Sequence, residues 1–231
     1  MPPAQTIHCP SCHAPITGKL TTSLATCKFC GTSFQTHLAQ PVNVATGEIL
    51  LSADFRSANI PGWSRHNQDK TSIKAGELWA AFPASNLIYP VLSTPGFYDD
   101  CDISATIRFV EGSYEHIYAG IETRWSDEGN YNFHISAQGT YRVAWHNKRE
   151  WGGELLGWTA HPALHKEMGA PNRLRIVQQG ERMRIFINGV LATSLNDAKF
   201  KLGRIRIVVA PPSTASGITV AYSDVQLREV G

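Results

Sequence analysis

From about residue 53 to residue 231, apolar and polar residues alternate in short runs broken by Gly, Asn, Asp or Pro, and helical periodicity is scarce. ISATIRF, IYAGIETRW, YNFHIS, YRVAWH, NRLRIV, RMRIFIN, RIRIVV and ITVAYSDVQL each fit a strand whose alternate residues face a core. Many such segments at close spacing predict an all-β sandwich or barrel. RMRIFINGV is the plainest of them. Met183, Ile185 and Ile187 face one way and Arg182 and Arg184 the other, and then Asn188-Gly189 supplies the two positive-φ residues of a tight type I′ hairpin.

The N-terminal residues are of a different kind. They hold four of the five cysteines, as CPSC, fourteen residues, then CKFC: Cys9, Cys12, Cys27 and Cys30. Each Cys-x-x-Cys turn aims two thiolates at one point, and two such turns close the tetrahedral sulfur shell that Zn2+ prefers. Gly31 gives the second turn a permissive backbone. Two disulfides or a redox pair are the alternatives. Disulfides fit poorly with a chain showing no secretory signal, and a redox motif belongs in a βαβ pattern. The segment from about residue 7 to 36 resembles the zinc-ribbon family, which implies a structural metal whose binding supplies the folding energy. His8, His13 and His37 are then surface residues. The fifth cysteine, Cys101, alternates with Ile103, Ala105, Ile107 and Phe109 and is expected to be a packed core thiol.

Charge placement narrows the function. Lys19 and Lys28 are the only charged residues before Glu48, which leaves 19 basic and 19 acidic residues beyond them. A neutral main domain lacks the basic face of a nucleic-acid binder, and RIRI and NRLRI read as strand patterning. No run approaches the roughly 20 apolar residues of a membrane helix. MPPAQTIHCP has neither a basic start nor an apolar stretch, so the cytoplasm is the expected location.

The order of the segments is similar to the concanavalin/laminin-G type of jelly roll. The resemblance rests on Asp54, Phe55 and Trp63, on GELWAAF and on the central hairpins. It continues through NRLRIVQQGERMRIFINGVLATS, GRIRIVV and the closing ITVAYSDVQL. It covers nearly all of residues 53–231 and implies an antiparallel β-sandwich, in a superfamily of lectins, carbohydrate-binding modules, glycoside hydrolases and protein-interaction domains. Asp224 matches the acid of the closing strand and is given a structural role. The expected organisation is a zinc ribbon (1–36), a linker (37–52) that can end in a short strand GEILLS, and the sandwich (53–231).

One hairpin carries the candidate site. In GIETRWSDEGNYNFHIS a five-residue tip, Ser126 to Asn130, places Trp125 opposite Tyr131, Thr123 opposite Phe133 and Ile121 opposite Ile135. The other face then pairs Arg124 with Asn132 and Glu122 with His134. The AQG turn that follows sets Ile135 against Tyr141, Phe133 against Val143 and Tyr131 against Trp145, so His134 lies beside Arg142 and Asn132 beside Ala144. Tyr118, His116 and His146 extend this face, and NKREWGGELLGWTAHP reads as a long loop bringing Trp151 and Trp158 to it. A polar outer face is ordinary for an antiparallel sheet, so a solvated surface is the first reading of these residues. A ligand site, with rings stacking on sugars and planar polar groups fixing hydroxyls, is the second.

Catalysis finds little support. Glycoside hydrolysis needs two carboxylates flanking the bond, and Glu122 is the only acid in the derived rows. The clusters Asp99-Asp100-x-Asp102 and Glu111-x-x-x-Glu115 lack the spacing of laminarinase-like relatives, and Glu122 with His134 is only a weak acid/base pair. The chain therefore reads as a non-enzymatic binding protein with carbohydrate as first ligand. A protein partner docked through the ribbon comes second, and a carbohydrate-active hydrolase third.

Overall fold

A computed structural model describes residues 5–8, 14–18, 24–31, 33–35, 46–112, 117–147, 152–211 and 217–231. The chain divides into two compact units, residues 1–42 and 43–231. In the first, β1 (Gln5–His8) pairs with β2 (Pro15–Gly18), and β3 (Leu24–Thr26) pairs with β4 (Ser33–Gln35).

The second unit is an all-β sandwich, with no helix among the described residues. Its eight-stranded sheet contains β5 (Thr46–Ala53), β7 (Thr71–Lys74), β8 (Glu77–Phe82), β10 (Cys101–Glu111), β15 (Pro171–Gln179), β16 (Arg182–Ile187), β17 (Val190–Asn196) and β19 (Ile218–Val230). The order is β17-β16-β15-β10-β19-β8-β7, and β5 pairs with the second half of β19. Asp224, at φ 47°, sits in β19 between the part that pairs with β8 and the part that pairs with β5, where a bulge also shifts the register against β10. The seven-stranded sheet contains β6 (Ser64–Arg65), β9 (Tyr89–Ser93), β11 (Tyr118–Trp125), β12 (Asn130–Ser136), β13 (Thr140–His146), β14 (Gly153–Ala160) and β18 (Arg204–Ala210). Its order is β14-β13-β12-β11-β18-β9-β6, and all of these pairings are antiparallel.

One core lies between the sheets, because the period of two puts a full apolar set on each inner face. Leu78, Ile103, Ile107 and Val225 of one sheet pack in the same cluster as Ile121, Phe133, Ile135 and Ile207 of the other. Tyr222 crosses the interior to donate its hydroxyl to the Val208 carbonyl at 2.8 Å. Cys101 is buried as expected, and burial pushes its thiol up to about 12. Asn188 and Gly189 both take positive φ and join β16 to β17 with Ile187 opposite Val190, as the sequence predicts.

The strand expected at the end of the linker, GEILLS, is present as β5, eight residues paired with β19. One expectation is corrected. The stretch expected as a long loop contains β14, an edge strand. GELLGWTA hides this because two register shifts against β13 and two glycines break its alternation.

Candidate functional site

The outer face of the seven-stranded sheet gathers most of the expected residues, with changed neighbours. β12 and β13 pair as derived, with His134 opposite Arg142 and Asn132 opposite Ala144. β11 is displaced by two residues from the derived register: Glu122 faces Asn132, Gly120 faces His134 and Tyr118 faces Ser136. The tip is longer than the derived five residues, running from Arg124 to Asn130, and Arg124, at φ 53°, is also the extra residue of a bulge against β18 between Glu122 and Trp125. A displacement of two keeps Glu122 on its face. Beyond the bulge, Trp125 moves out of the expected inner set to stand opposite Arg204.

Arg124 is thereby removed from the site. Its guanidinium is buried and donates to the carbonyl oxygens of Asp99 (3.0 and 2.8 Å), Phe200 (2.8 Å) and Gly180 (2.7 Å). It staples three loop segments together, and its strained backbone is offset by these charge-assisted bonds.

The floor of the face is dry, where a solvated surface was expected. Glu122, Asn132 and His134 are 4 %, 4 % and 1 % exposed. Gly120 lets β11 approach here, since a Cβ would come within 1.9 Å of the Phe133 carbonyl oxygen. Burial pushes the Glu122 carboxyl up to about 7, against the downward pull of Arg206. Arg206 Nε lies 3.2 Å from Glu122 Oε2, close enough for an ion pair but out of line for a hydrogen bond. His134 is held well below the usual imidazole value by burial and then by Arg142. Its Nδ1 accepts from Arg142 Nε at 3.4 Å, so the neutral ring carries its proton on Nε2, a buried donor without a protein acceptor.

Larger side chains stand around this floor. The Arg142 guanidinium lies 4.8 Å from the Tyr118 ring and 4.9 Å from the Trp158 ring. The two rings meet edge-on at 5.5 Å, and Tyr118 also contacts His134 at 4.9 Å. Trp158 thus reaches the face as expected, although from a strand. His146 is exposed at the far end of β13, opposite Asn130. Trp151 and His116 lie outside the described residues, as do Cys9 and Cys12.

The structure adds residues that pattern reading missed. β18 lies beside β11 and brings Arg206 opposite Glu122. β9 then brings Ser93 opposite Arg206, and Ser93 Oγ lies 2.7 Å from His66 Nε2. Burial, then Arg206 and Arg204, hold His66 below its ordinary value. Alternation in RIRIVV already put both arginines on one face, but which strand lay beside it could not be read locally. Two cavities of about 590 and 580 Å³, lined by residues such as Phe55 and Phe82, share no lining residue with this face.

In the first unit, Cys27 is buried and Cys30 exposed at the two ends of a turn closed by Gly31 N–H donating to the Cys27 carbonyl at 2.9 Å. Gly31 has φ 73°, as a Cys-x-x-Cys turn requires. This half of the expected ligand set fits a metal knuckle.

No protein-family model and no curated protein matches the chain. Solved structures do. A Bacillus subtilis protein of unknown function with a galectin-like fold aligns at 12 % identity, covering 80 % of this chain and 98 % of that one, with a TM-score of 0.62. The laminarinase catalytic domain from Thermotoga maritima aligns at 9 % identity, covering 80 % and 99 %, with a TM-score of 0.58. A family-66 carbohydrate-binding module from Bacillus subtilis aligns at 13 % identity, covering 72 % and 91 %, with a TM-score of 0.50. At these identities the likeness shows the jelly-roll fold.

Proposed function

We propose that this chain is a non-catalytic carbohydrate-binding protein that holds its ligand on the outer face of the seven-stranded sheet. The observation that carries this is the cluster of Arg142, Tyr118 and Trp158, with the guanidinium against both rings, beside the buried Glu122–Asn132–His134 floor. Aromatic faces suit the apolar sides of sugar rings, and Trp158 keeps 40 % of its surface exposed beside the buried floor. The likeness to a carbohydrate-binding module and a laminarinase domain supports this reading.

A glycan-array screen of the full chain, with Trp158→Ala and Glu122→Gln variants alongside, tests it. Binding lost in both folded variants is the expected result, and no binding by the unmodified chain overturns the proposal. A hydrolase reading draws on the raised Glu122 carboxyl, which suits a general acid. Against it, the next acid in that cross-strand row is Glu154, reached through Asn132 and Ala144. Three strand spacings put it about 14 Å away, beyond the roughly 6.5–9.5 Å of an inverting pair. A protein partner is favoured by one observation, the 74 % exposure of Phe29 in the CKFC turn.

Cys9, Cys12, Cys27 and Cys30 are proposed to hold a structural Zn2+, and such reduced thiolates suit a reducing compartment such as the cytoplasm. A chelator is expected to unfold residues 1–36 while the sandwich stays cooperatively folded, followed by NMR. Unchanged ribbon chemical shifts after complete zinc removal would overturn the metal assignment.

A further inference from the structure

The sheet face carries three arginines in one arrangement. Arg142 lies over Tyr118 and Trp158, Arg206 over Trp125 at 4.7 Å, and Arg204 over Phe97 at 5.5 Å. A guanidinium lying over a ring is held in position by the ring's quadrupole while keeping N–H groups to donate to a ligand. Of these three, only Arg206 has a carboxylate partner among the described residues, and that partner is the buried Glu122. Arg142 and Arg204 form no ion pair there. The Nε donors of Arg204 and Arg206 are buried without a hydrogen-bond acceptor among the described residues. A polar groove for neutral sugar has no need of three cations set against one carboxyl.

Their spacing adds a second constraint. Arg204 and Arg206 are two residues apart on one strand, about 7 Å. Arg142 stands three strands from Arg206, with β11 and β12 between them, and one pleat step along. That separates them by roughly 14–16 Å at ordinary strand spacing. One anionic group cannot bridge that distance, whereas an extended chain can meet both ends. Phe97 (54 % exposed) and Trp158 (40 % exposed) offer ring faces at the two ends of the row.

We infer that the ligand of this face is an acidic oligosaccharide, an extended chain whose carboxylate or sulfate groups pair with Arg204 and Arg206 at one end and Arg142 at the other. This rests on the proposed carbohydrate-binding role and specifies its substrate class. Planar guanidinium forks match both oxyanions.

The test is calorimetric titration of the full chain with four probes. These are a galacturonic acid hexamer, its carboxyl-reduced neutral counterpart, a sulfated galactan hexamer, and its desulfated counterpart. At least one acidic probe is expected to bind about tenfold or more tighter than its neutral counterpart, the value of one charge-assisted hydrogen bond. Which arm shows the gain distinguishes carboxylate from sulfate. Arg204→Gln should shrink the preference to about threefold or less, a loss of most of that tenfold gain. Raising salt from about 0.1 to about 1 M should do the same in the unmodified chain, as the Debye length falls from about 10 to about 3 Å. Equal binding of neutral and acidic probes overturns the inference and leaves the carbohydrate reading standing. No binding of any probe, with an empty glycan array, overturns both.

Discussion

The two sheets present outer faces built from similar residues and finished in opposite ways. On the eight-stranded sheet, Arg175 donates to both oxygens of the buried Asp102 at 2.8 and 2.6 Å, and Arg108 pairs with both oxygens of Glu77. Arg173 donates to Ser104 Oγ at 2.8 Å. Aromatic rings brace these arginines too, Phe186 under Arg175 and Trp79 under Arg108. On the seven-stranded sheet the rings are present and the carboxylates are largely missing. Stacking alone therefore does not mark a site. What distinguishes the ring-braced arginines is whether the charge is answered within the protein: Arg175 and Arg108 have carboxylate partners, whereas Arg142 and Arg204 have none among the described residues.

The comparison is most exposed to failure at Arg175. Arg175→Met strands a carboxylate that is 2 % exposed, and is expected to cost about 3–5 kcal/mol of unfolding free energy. Urea denaturation measures this, and glycan binding by the remaining folded protein should be unchanged. A cost below about 1 kcal/mol would class the pair with ordinary surface ion pairs, and the contrast between the faces would weaken.

The next effect is a pH dependence on the opposite face. Glu122 is raised from 4.5 to about 7 in the folded chain. Between those values the unfolded chain ionises while the folded one keeps its proton. The contribution is therefore full below the unfolded value and lost as pH rises through the folded one, amounting to no more than about 3 kcal/mol. His134 acts in the other direction, since its lowered value favours folding above 6.5 and loses that as pH falls through the folded value. Glu122→Gln removes only the first effect. Relative to the variant, the unmodified chain should lose stability between pH 5 and pH 8 in urea denaturation. Parallel profiles would mean that the carboxyl is not held in a dry floor.

Arg142→Ala should cost less, about 1–2 kcal/mol, because it removes stacking on two rings and one long hydrogen bond but leaves no charge stranded. The same variant should abolish glycan binding in calorimetry. Intact binding would move the site away from this sheet.

Local pattern was enough for the sandwich and for half of the site, for reasons visible in particular residues. The β12–β13 pairing came out residue for residue because a three-residue turn with Gly139 at φ 79° fixes it. The β11–β12 pairing did not, because the tip takes in Arg124 and Trp125, and an arginine in the left-handed region held by carbonyls of distant loops leaves no local sequence signal. The burial of Glu122 and His134 was hidden for a related reason. Their exposure depends on Arg206, Trp125 and Trp158, and two of these arrive from strands whose placement local alternation does not determine. Alternation in RIRI places Arg204 and Arg206 on one face of a strand and says nothing of that strand's neighbours.

The smallest effect is the most discriminating. Arg204→Gln changes an arginine in the same kind of alternating strand as Arg175, whose loss is expected to destabilise the fold, but on the other sheet. If its charge is answered by no acid of this chain, its removal leaves nothing stranded and deletes a buried Nε donor that lacks an acceptor. Stability should then shift by less than about 0.5 kcal/mol, in either direction. A loss above about 2 kcal/mol in urea denaturation would mean that Arg204 anchors the fold as Arg175 does. The two faces would then differ in degree only, and the unanswered charge on which the acidic ligand depends would not exist.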